Sequence, residues 1–262
     1  MDRAKYLEIR NKTLAKKSEV HRDLCLQCFR ARKACLCLHV KSFVTNIHFV
    51  FLIHPMEFKR EKNATGRLSH LCLKNSQIIT GIDFNQSESV QSLLKDANNF
   101  CTLLYPGHES KDISQGDFRS VEQKQKRWVV FILDATWPCA KKMMKLSTSL
   151  HDIPKISFSN GRKSIFTIKH QPNEMCLSTI ESVHQLISDA QNVGIESEEI
   201  AKDHLIKVFQ AMIDFQIKCA SDPSIPSYKK IKRPYKPPSE RTISKKWEHR
   251  KIIFDPADLQ SQ

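Results

Sequence analysis

The sequence predicts an α/β protein whose mostly parallel sheet is flanked by helices. Apolar runs typical of buried strands alternate with segments of helical periodicity along most of the 262 residues. The strand candidates are continuous apolar runs, without alternation between apolar and polar residues, which is the pattern of a parallel sheet covered on both faces. In open sheets of this kind, ligands bind beyond the carboxyl ends of the strands. The strand ends are therefore the first place to look for a site.

The predicted elements follow one another in a regular order. Strands are predicted where β-branched and aromatic residues cluster, and they are 46–55, 75–82, 101–105, 129–133 and 155–159. Helices are predicted where apolar residues recur every three or four positions, and they are 65–74, 89–98, 138–147, 176–191 and 197–219. Residues 108–126 are predicted to be a polar loop.

Changes in composition divide the chain into four segments. Residues 1–22 are a basic, helical lead-in, and residues 23–40 contain a cluster of cysteines. Residues 41–220 hold the predicted strands and helices and form the main domain. Residues 221–262 are basic, contain several prolines and offer few large aliphatic residues for burial, so we expect an extended tail.

The charge balance favours a polyanionic partner. Forty-two Lys and Arg stand against 28 Asp and Glu, which gives a net charge of +14. Residues 228–251 alone hold ten Lys or Arg and two Glu, with Tyr228, Tyr235 and Trp247 among them. Aromatic rings stack on bases while cations meet phosphates, so the tail fits nucleic acid, although a solvated basic end has the same composition.

The N-terminal residues and the cysteines indicate a reducing compartment. The first 23 residues are charged throughout and lack the hydrophobic stretch of an export signal. No window of the sequence approaches the roughly eighteen apolar residues of a membrane helix. We therefore expect a cytoplasmic protein whose nine cysteines are reduced.

A cluster of four cysteines predicts a structural zinc site. Cys25, Cys28, Cys35 and Cys37 follow a C-x2-C-x6-C-x-C pattern. Two such pairs present four thiolates to one ion, and four thiolates in a tetrahedron are a common closed zinc site. In a reducing compartment this spacing predicts bound zinc that stabilises the fold. The other five cysteines are scattered along the sequence and are interpreted as core residues.

The strand 129–133 ends in an unusual corner. Asp134, Thr136 and Trp137 follow the apolar run, and Pro138 fits the first turn of the next helix. By composition alone this is a strand-to-helix turn, in which the Asp134 carboxylate stabilises the positive end of the helix dipole. Its position at a strand end also makes it a candidate ligand site. The residues alone leave both interpretations open.

An ordered set of short motifs resembles the DTW-domain family. The four-cysteine cluster is followed by HPME (His54–Glu57), TGRL (Thr65–Leu68), LLYP (Leu103–Pro106), LDATW (Leu133–Trp137) and LSTIES (Leu177–Ser182). The resemblance covers about residues 23–190, and its specificity comes from the order of the motifs. Two positions depart from the family pattern. Ala135 stands inside the DTW-type motif, which the family tolerates, and Lys169 stands where an arginine is expected.

The resemblance implies a tRNA-uridine aminocarboxypropyltransferase. Such enzymes move the 3-amino-3-carboxypropyl group of S-adenosylmethionine to N3 of a tRNA uridine and release methylthioadenosine. The family is related to the knotted SPOUT methyltransferases, so a SPOUT-like fold with a knot near the cofactor is implied, with residues 41–220 as the catalytic domain. Two alternatives stay open, an RNA methyltransferase on the same scaffold and a non-catalytic, zinc-stabilised RNA-binding protein.

The resemblance also implies roles for residues in these motifs. Asp134 is the candidate catalytic residue, either as the general base for N3 or as the group that orients N3–H. Its alternative role is pairing with the ammonium or sulfonium of the co-substrate. The candidate cofactor-binding residues are Leu104, Tyr105, Pro106, Leu133, Thr136, Trp137, Ser178, Thr179 and Glu181. The candidate substrate and RNA contacts are His54, Glu57, Arg67 and Lys169.

Several of these residues have a purely structural interpretation as well. Trp137 is either an aromatic wall for a base or a core residue, and Thr136 either contacts the ligand or caps a helix. Ser178 and Glu181 match a capping box, whereas the resemblance favours a cofactor or base contact for Thr179 and Glu181.

The remaining candidates lie near strand ends and helix starts. His54 and Glu57 belong either to a turn after a strand or to the rim of the site, and Arg67 is either an anion contact or a solvated side chain. Lys169 keeps a positive charge but lacks the bidentate fork of arginine. The ordinary pKa of an aspartate lies far below that of a uracil imide, so Asp134 acts as a base only if burial raises its pKa or proton transfer is concerted with attack.

Overall fold

The computed structural model describes most of the chain, in two compact units, Met1–Leu38 and His39–Gln262. The described residues are Glu8, 23–60, 64–107, 109–159, 162–169, 176–225, 235–237 and Glu240. Apart from Glu8, the predicted lead-in at 1–22 lies outside them, as does most of the predicted tail at 221–262. The predicted domain boundaries stay predictions.

The larger unit contains a six-stranded sheet in which every strand pair is parallel. The strands are β1 (His48–Ile53), β2 (Ser76–Thr80), β3 (Asn99–Leu104), β4 (Lys111–Asp112), β5 (Arg127–Asp134) and β6 (Lys155–Ser157). Their order across the sheet is β2-β1-β5-β3-β6-β4. The predicted mostly parallel α/β fold is therefore confirmed, while the knot implied by the resemblance stays a prediction.

Seven α-helices connect or cover the strands of the described chain. They are α1 (Pro55–Arg60), α2 (Thr65–Cys72), α3 (Glu88–Lys95), α4 (Val121–Lys124), α5 (Trp137–Leu146), α6 (Thr179–Asn192) and α7 (Asp203–Ser221). Two of these helices were absent from the sequence prediction. Helix α1 begins at Pro55, where a strand end was expected, because proline suits the first position of a helix. Helix α4 lies in the predicted polar loop, where Ser120 and Gln123 form a capping box.

The helices cover the two faces of the sheet. Buried residues of α3 and α5 pack against alternate residues of the central strands, including Val50, Val129 and Phe131. Helix α2 packs against β1 and β2 and also contacts α6 and α7, which lie with it on the opposite face. Burial on both faces explains why the strand sequences are apolar throughout.

The central strand β5 ends level with its neighbour β1. Ile53 of β1 is in register with Asp134 of β5, and Leu104 of β3 is in register with Ile132. The chain order reverses around β5, because β1 lies on one side of it and β3 on the other. Such a switch point is the usual ligand crevice of an open parallel sheet. The sheet therefore places the corner at Asp134 where a site is expected.

Candidate functional site

Asp134 is buried at the carboxyl end of the central strand. It is the last residue of β5, and only 7% of its surface is exposed. Its carbonyl oxygen accepts a hydrogen bond of 3.1 Å from the His54 amide, so β1 and β5 remain joined at the edge of the sheet. Alternation along β5 directs the Asp134 side chain to the face covered by α2 and α6.

The two carboxylate oxygens of Asp134 have different surroundings. Oδ1 accepts a hydrogen bond of 2.6 Å from the hydroxyl of Thr179, the first residue of α6. Oδ2 is buried and has no hydrogen-bond partner. A buried oxygen without a hydrogen bond is costly, because it has lost its water. Oδ2 is thus the carboxylate oxygen that keeps an unused hydrogen-bond acceptor.

Gly66 of α2 makes room for this carboxylate. A Cβ atom at position 66 would lie 2.5 Å from Asp134 Oδ2 and 2.7 Å from its Cγ. No side chain fits there unless the carboxylate moves. In the TGRL motif the arginine was predicted to have a role and the glycine was not, although a glycine near a helix start is itself a signal of close approach.

The electrostatics of Asp134 reflect its burial. Burial raises the pKa of Asp134 above the ordinary value, because the charged form loses its hydration. The hydrogen bond from Thr179, the charge of Lys169, the Gly66 amide and the charge of Arg67 lower it in part. The balance brings the carboxylate closer to the pKa that proton transfer near neutral pH requires.

The start of α5 carries an exposed aromatic side chain soon after Asp134 in the chain. Thr136 is exposed, and although it occupies the N-cap position, its hydroxyl makes no capping hydrogen bond. Trp137 is 38% exposed and is therefore not a core residue. Both structural interpretations of these side chains are thus disfavoured, and both side chains are accessible to a ligand.

Glu181 orders a loop instead of presenting a free carboxylate. It accepts hydrogen bonds from the amide and hydroxyl of Ser178 at 2.8 and 2.6 Å, in a capping box at the start of α6. It also accepts hydrogen bonds from the Ser164 hydroxyl and from the Ile165 amide at 2.8 Å. Glu181 therefore fixes the segment 162–169, which carries Lys169, to the helix that carries Thr179.

Arg67 and Lys169 differ in how they are held. The Arg67 guanidinium donates a hydrogen bond of 2.6 Å to the Phe58 carbonyl and lies 4.4 Å from the centroid of the Phe58 ring. This ties α2 to α1, so Arg67 is not a merely solvated side chain. Lys169 is exposed, and its ammonium lies 6.0 Å from the Phe166 ring centroid. Both charges act on the pKa of Asp134, which places them near the carboxylate.

The HPME motif forms the turn into α1. His54 is buried, and its Nδ1 accepts a hydrogen bond of 3.2 Å from the Met56 amide. A neutral His54 therefore carries its proton on Nε2. Glu57 lies in the first turn of α1 and is half-buried. His54 directly follows β1, beside the end of β5.

The end of β3 contributes backbone more than side chains. Leu104, Tyr105 and Pro106 are half-buried, and the Tyr105 amide donates a hydrogen bond of 3.1 Å to the Ile156 carbonyl. The Tyr105 and Leu133 side chains pack against the core on the α3 and α5 face. Burial also raises the pKa of Tyr105. A contact of this segment with a ligand stays a prediction.

The four clustered cysteines of the smaller unit fit a tetrahedral metal site. Their sulfur atoms all lie within 4.8 Å of one another. The Cys25 and Cys37 sulfurs are 3.6 Å apart and the Cys28 and Cys35 sulfurs 3.8 Å apart. Zn–S bonds of about 2.3 Å in a tetrahedron place sulfurs about 3.8 Å apart, which matches these distances. A disulfide requires about 2.05 Å, and all four cysteines are free.

The backbone of this unit is also arranged for thiolates. Hydrogen bonds from the Cys28 and Gln27 amides lower the pKa of the Cys25 thiol to about 6. Burial and the neighbouring thiols raise the pKa of Cys37. Phe29 adopts a positive φ of 56° in the turn, where its amide donates to the Cys25 carbonyl at 2.8 Å. The site is therefore competent to hold one metal ion.

Fold and site together define an α/β protein with a buried carboxylate at the switch point of a parallel sheet. The model of the DTW domain matches residues 22–217, and the chain belongs to the DTW domain family. No helix in the described part of the chain has both the length and the apolar character to span a membrane. No solved structure matches the chain.

The relatives to which the chain is similar are named for one activity. The chain is similar to tRNA-uridine aminocarboxypropyltransferase 2 of Mus musculus, with 26% identity over 75% of this chain and 64% of the relative. The protein of the same name from Drosophila melanogaster is 26% identical over 75% of this chain and 76% of the relative. The tRNA-uridine aminocarboxypropyltransferase A of Arabidopsis thaliana is 25% identical over 79% of this chain and 86% of the relative. The chain thus spans less than two thirds of the mouse relative.

Proposed function

We propose that the chain is a tRNA-uridine aminocarboxypropyltransferase. It transfers the 3-amino-3-carboxypropyl group of S-adenosylmethionine to N3 of a tRNA uridine and leaves methylthioadenosine. Membership of the DTW domain family and the names of its relatives support this proposal. The structural observation that carries it is the Asp134 carboxylate, buried at the switch point with Oδ1 held by Thr179 and Oδ2 without a partner.

The reaction requires one bond to form, one to break and one proton to leave. N3 of the uracil forms a bond to carbon, the bond between that carbon and sulfur breaks, and the N3 proton is released. S-adenosylmethionine supplies the electrophilic carbon, activated by its positively charged sulfur. The chain must hold the reacting atoms in line and accept the proton, and such positioning accounts for much of the rate gain in reactions of this kind.

Asp134 is proposed to orient and accept the N3 proton. Burial raises its pKa, which narrows the gap to the uracil imide and favours transfer as the N–C bond forms. Thr179 holds Oδ1, so that Oδ2 is left to face the base. A base extruded from its stack exposes the edge that carries N3.

The other candidates are proposed to build the walls of the site. Trp137 offers a face for stacking with adenine or uracil, and Thr136 a hydroxyl for hydrogen bonding. The backbone of 104–106 and 133, with Ser178, borders the co-substrate. Lys169 supplies a positive charge for a carboxylate or phosphate, and Arg67, His54 and Glu57 shape the rim.

The four-cysteine site is proposed to hold structural zinc. Four thiolates within 4.8 Å of one another form a closed site with no position left for a substrate. This fits the expected reducing, cytoplasmic environment, in which thiols stay available for metal.

The experiment that tests this function is mass spectrometry of tRNA nucleosides. The chain is incubated with S-adenosylmethionine and unfractionated tRNA, and we expect the mass of one aminocarboxypropyl group to be added to uridine, with methylthioadenosine as co-product. S-adenosylhomocysteine as co-product would show a methyltransferase instead. Unmodified tRNA that still binds would indicate a non-catalytic RNA-binding protein.

The role of Asp134 is tested in the same assay with Asp134→Asn. A base that accepts the N3 proton predicts a kcat lower by about 100-fold or more with the affinity for S-adenosylmethionine retained. Pairing with the ammonium of the co-substrate predicts weaker binding of S-adenosylmethionine instead. An unchanged kcat and affinity would remove Asp134 from the mechanism.

A further inference from the structure

The outward face of α5 carries a row of positive charge. Lys141, Lys142 and Lys145 are exposed on this helix. The opposite side of the helix is buried in the core by Ala140, Met143 and Met144. The sequence has no acidic residue from 135 to 151. The lysines are thus held on a rigid, well-packed helix with no carboxylate near them in sequence.

An ordinary solvated helix face does not account for this arrangement. Exposed lysines on helices are commonly offset by acidic residues one turn away, and like charges at that spacing repel. None of the ion pairs among the described residues involves Lys141, Lys142 or Lys145. Lys145 in the last turn is favoured by the helix dipole. Lys141 and Lys142 lie in the middle of the helix, where the helix dipole does not stabilise them.

The row of lysines starts at the candidate site and leads away from it. Trp137 is the first residue of α5 and follows Asp134 by three positions. A helix rises about 1.5 Å per residue, so Lys141 lies about 6 Å and Lys145 about 12 Å along the axis from Trp137. These distances correspond to the spacing of the next one or two phosphates in a nucleic-acid strand that has one base at Trp137. The lysines therefore extend from Trp137 over a distance that spans one or two phosphates of a nucleic-acid strand.

We infer that the lysine face of α5, formed by Lys141, Lys142 and Lys145, binds the phosphates of the tRNA nucleotides that flank the target uridine. The inference rests on the proposed function, since it assumes that a tRNA base occupies the site at Asp134. Each lysine replaces a condensed counterion of the RNA, and the release of these ions drives binding. The fixed helix holds the register of the strand, while Trp137 and Asp134 meet the base.

The test is a charge-reversal triple variant, Lys141→Glu with Lys142→Glu and Lys145→Glu, in the full chain. The matched control reverses three other exposed helical lysines, Lys95, Lys207 and Lys218. Lys95 ends α3 near the edge where the strands begin, and the other two lie on α7, on the opposite face of the sheet. Both variants change the net charge equally, so a difference between them reports position and not total charge.

Binding is measured with end-labelled unfractionated tRNA by filter binding over a range of salt concentrations. For the α5 variant we expect affinity about tenfold weaker or more near 0.1 M salt, and a slope of log K against log salt reduced by about two to three. The control variant should have nearly the same affinity for tRNA and the same salt slope as the wild type. Circular dichroism and binding of S-adenosylmethionine should be unchanged in both variants, because the exchanged side chains are exposed and lie outside the co-substrate site.

Two outcomes separate this inference from the proposed function. Equal affinity and equal salt slope for the α5 variant and the control would overturn the inference, whatever the activity of the wild type. A wild-type chain that binds tRNA through α5 but transfers no aminocarboxypropyl group would overturn the proposed function and leave the binding surface in place.

Discussion

The hydroxyl of Thr179 donates a hydrogen bond of 2.6 Å to Asp134 Oδ1, and so joins the start of α6 to the end of β5. The two residues are separated by 45 positions in the chain. The bond fixes one oxygen of the buried carboxylate and leaves the other for a ligand. It thereby sets both the orientation and the proton affinity of the candidate base.

Removal of this hydrogen bond should move the pH dependence of the reaction. The bond from Thr179 lowers the pKa of Asp134, so Thr179→Val should raise that pKa further. Because the ionised carboxylate is the active form, the acidic limb of the kcat profile should shift to higher pH. A hydrogen bond to a charged group contributes about 1.5 to 3 kcal/mol, so activity below the limb should fall by at least about tenfold. Thr179→Ser keeps the hydroxyl and should keep the profile. If the acidic limb of the kcat profile of Thr179→Val stayed at the wild-type pH, Thr179 would not set the pKa of Asp134.

Asp134 should cost the protein stability at neutral pH. Burial raises its pKa in the folded state, so the folded chain binds this proton more tightly than the unfolded chain does. Stability therefore falls as the pH rises from the ordinary aspartate pKa through the raised value. Asp134→Asn is neutral at every pH and should unfold at a higher temperature near pH 7. The difference from the wild type should shrink as the pH is lowered. A lower unfolding temperature for the asparagine variant at pH 7 would refute this argument.

Gly66→Ala should damage the site despite its position in a helix. Alanine is favoured over glycine in helices by about 1 kcal/mol, so helical propensity alone predicts a more stable variant. The added Cβ would lie 2.5 Å from Asp134 Oδ2, however, and the buried carboxylate has little room to move. We expect a lower unfolding temperature and transfer activity reduced by about tenfold or more. Gly107→Ala adds the same methyl group where no atom lies within 4 Å, and should unfold as the wild type does. A higher unfolding temperature for Gly66→Ala, with full activity, would show that the Asp134 carboxylate can move away from the added methyl group without cost.

The cysteine cluster should contain about one zinc ion per chain, measured by inductively coupled plasma mass spectrometry on protein purified without added metal. Cys25→Ser should lose this zinc, because three thiolates no longer close the tetrahedron. Cys219→Ser, outside the cluster, should retain it. Metal-free wild-type protein with four titratable thiols in the cluster would rule out a zinc site there.

The order of strands and helices could be predicted because strands that are buried on both faces have continuous apolar sequences. The apolar run at 129–133 and the proline at 138 mark the end of β5 and the start of α5 within one or two residues. The capping box of Ser178 and Glu181 was visible as well, since capping is local chemistry. Helix α4 was missed because its four residues, one valine and three polar residues, show no apolar period.

The contacts that make the site could not be predicted, because they join segments far apart in the chain. Nothing near Thr179 indicates that its hydroxyl reaches Asp134, and nothing near Gly66 indicates that a carboxylate lies against it. These contacts depend on how α2 and α6 pack on the sheet, which the period of a single segment does not specify. The resemblance to a family indicated which motifs matter. Only the packing shows that Thr179 contacts Asp134, whereas Glu181 holds the loop at 162–169.

The position of β5 also has a consequence for how the chain folds during synthesis. Before Arg127–Asp134 emerges from the ribosome, β1 has one open edge, and β3 lacks both of its neighbours in the sheet, β5 and β6. Open strand edges invite pairing with other chains, and long-range parallel pairing is slow. The nascent chain is therefore most prone to aggregate during this interval. Insertion of β5 closes the gap, and the same event delivers Asp134, so the protein has no nearly complete sheet without its candidate base.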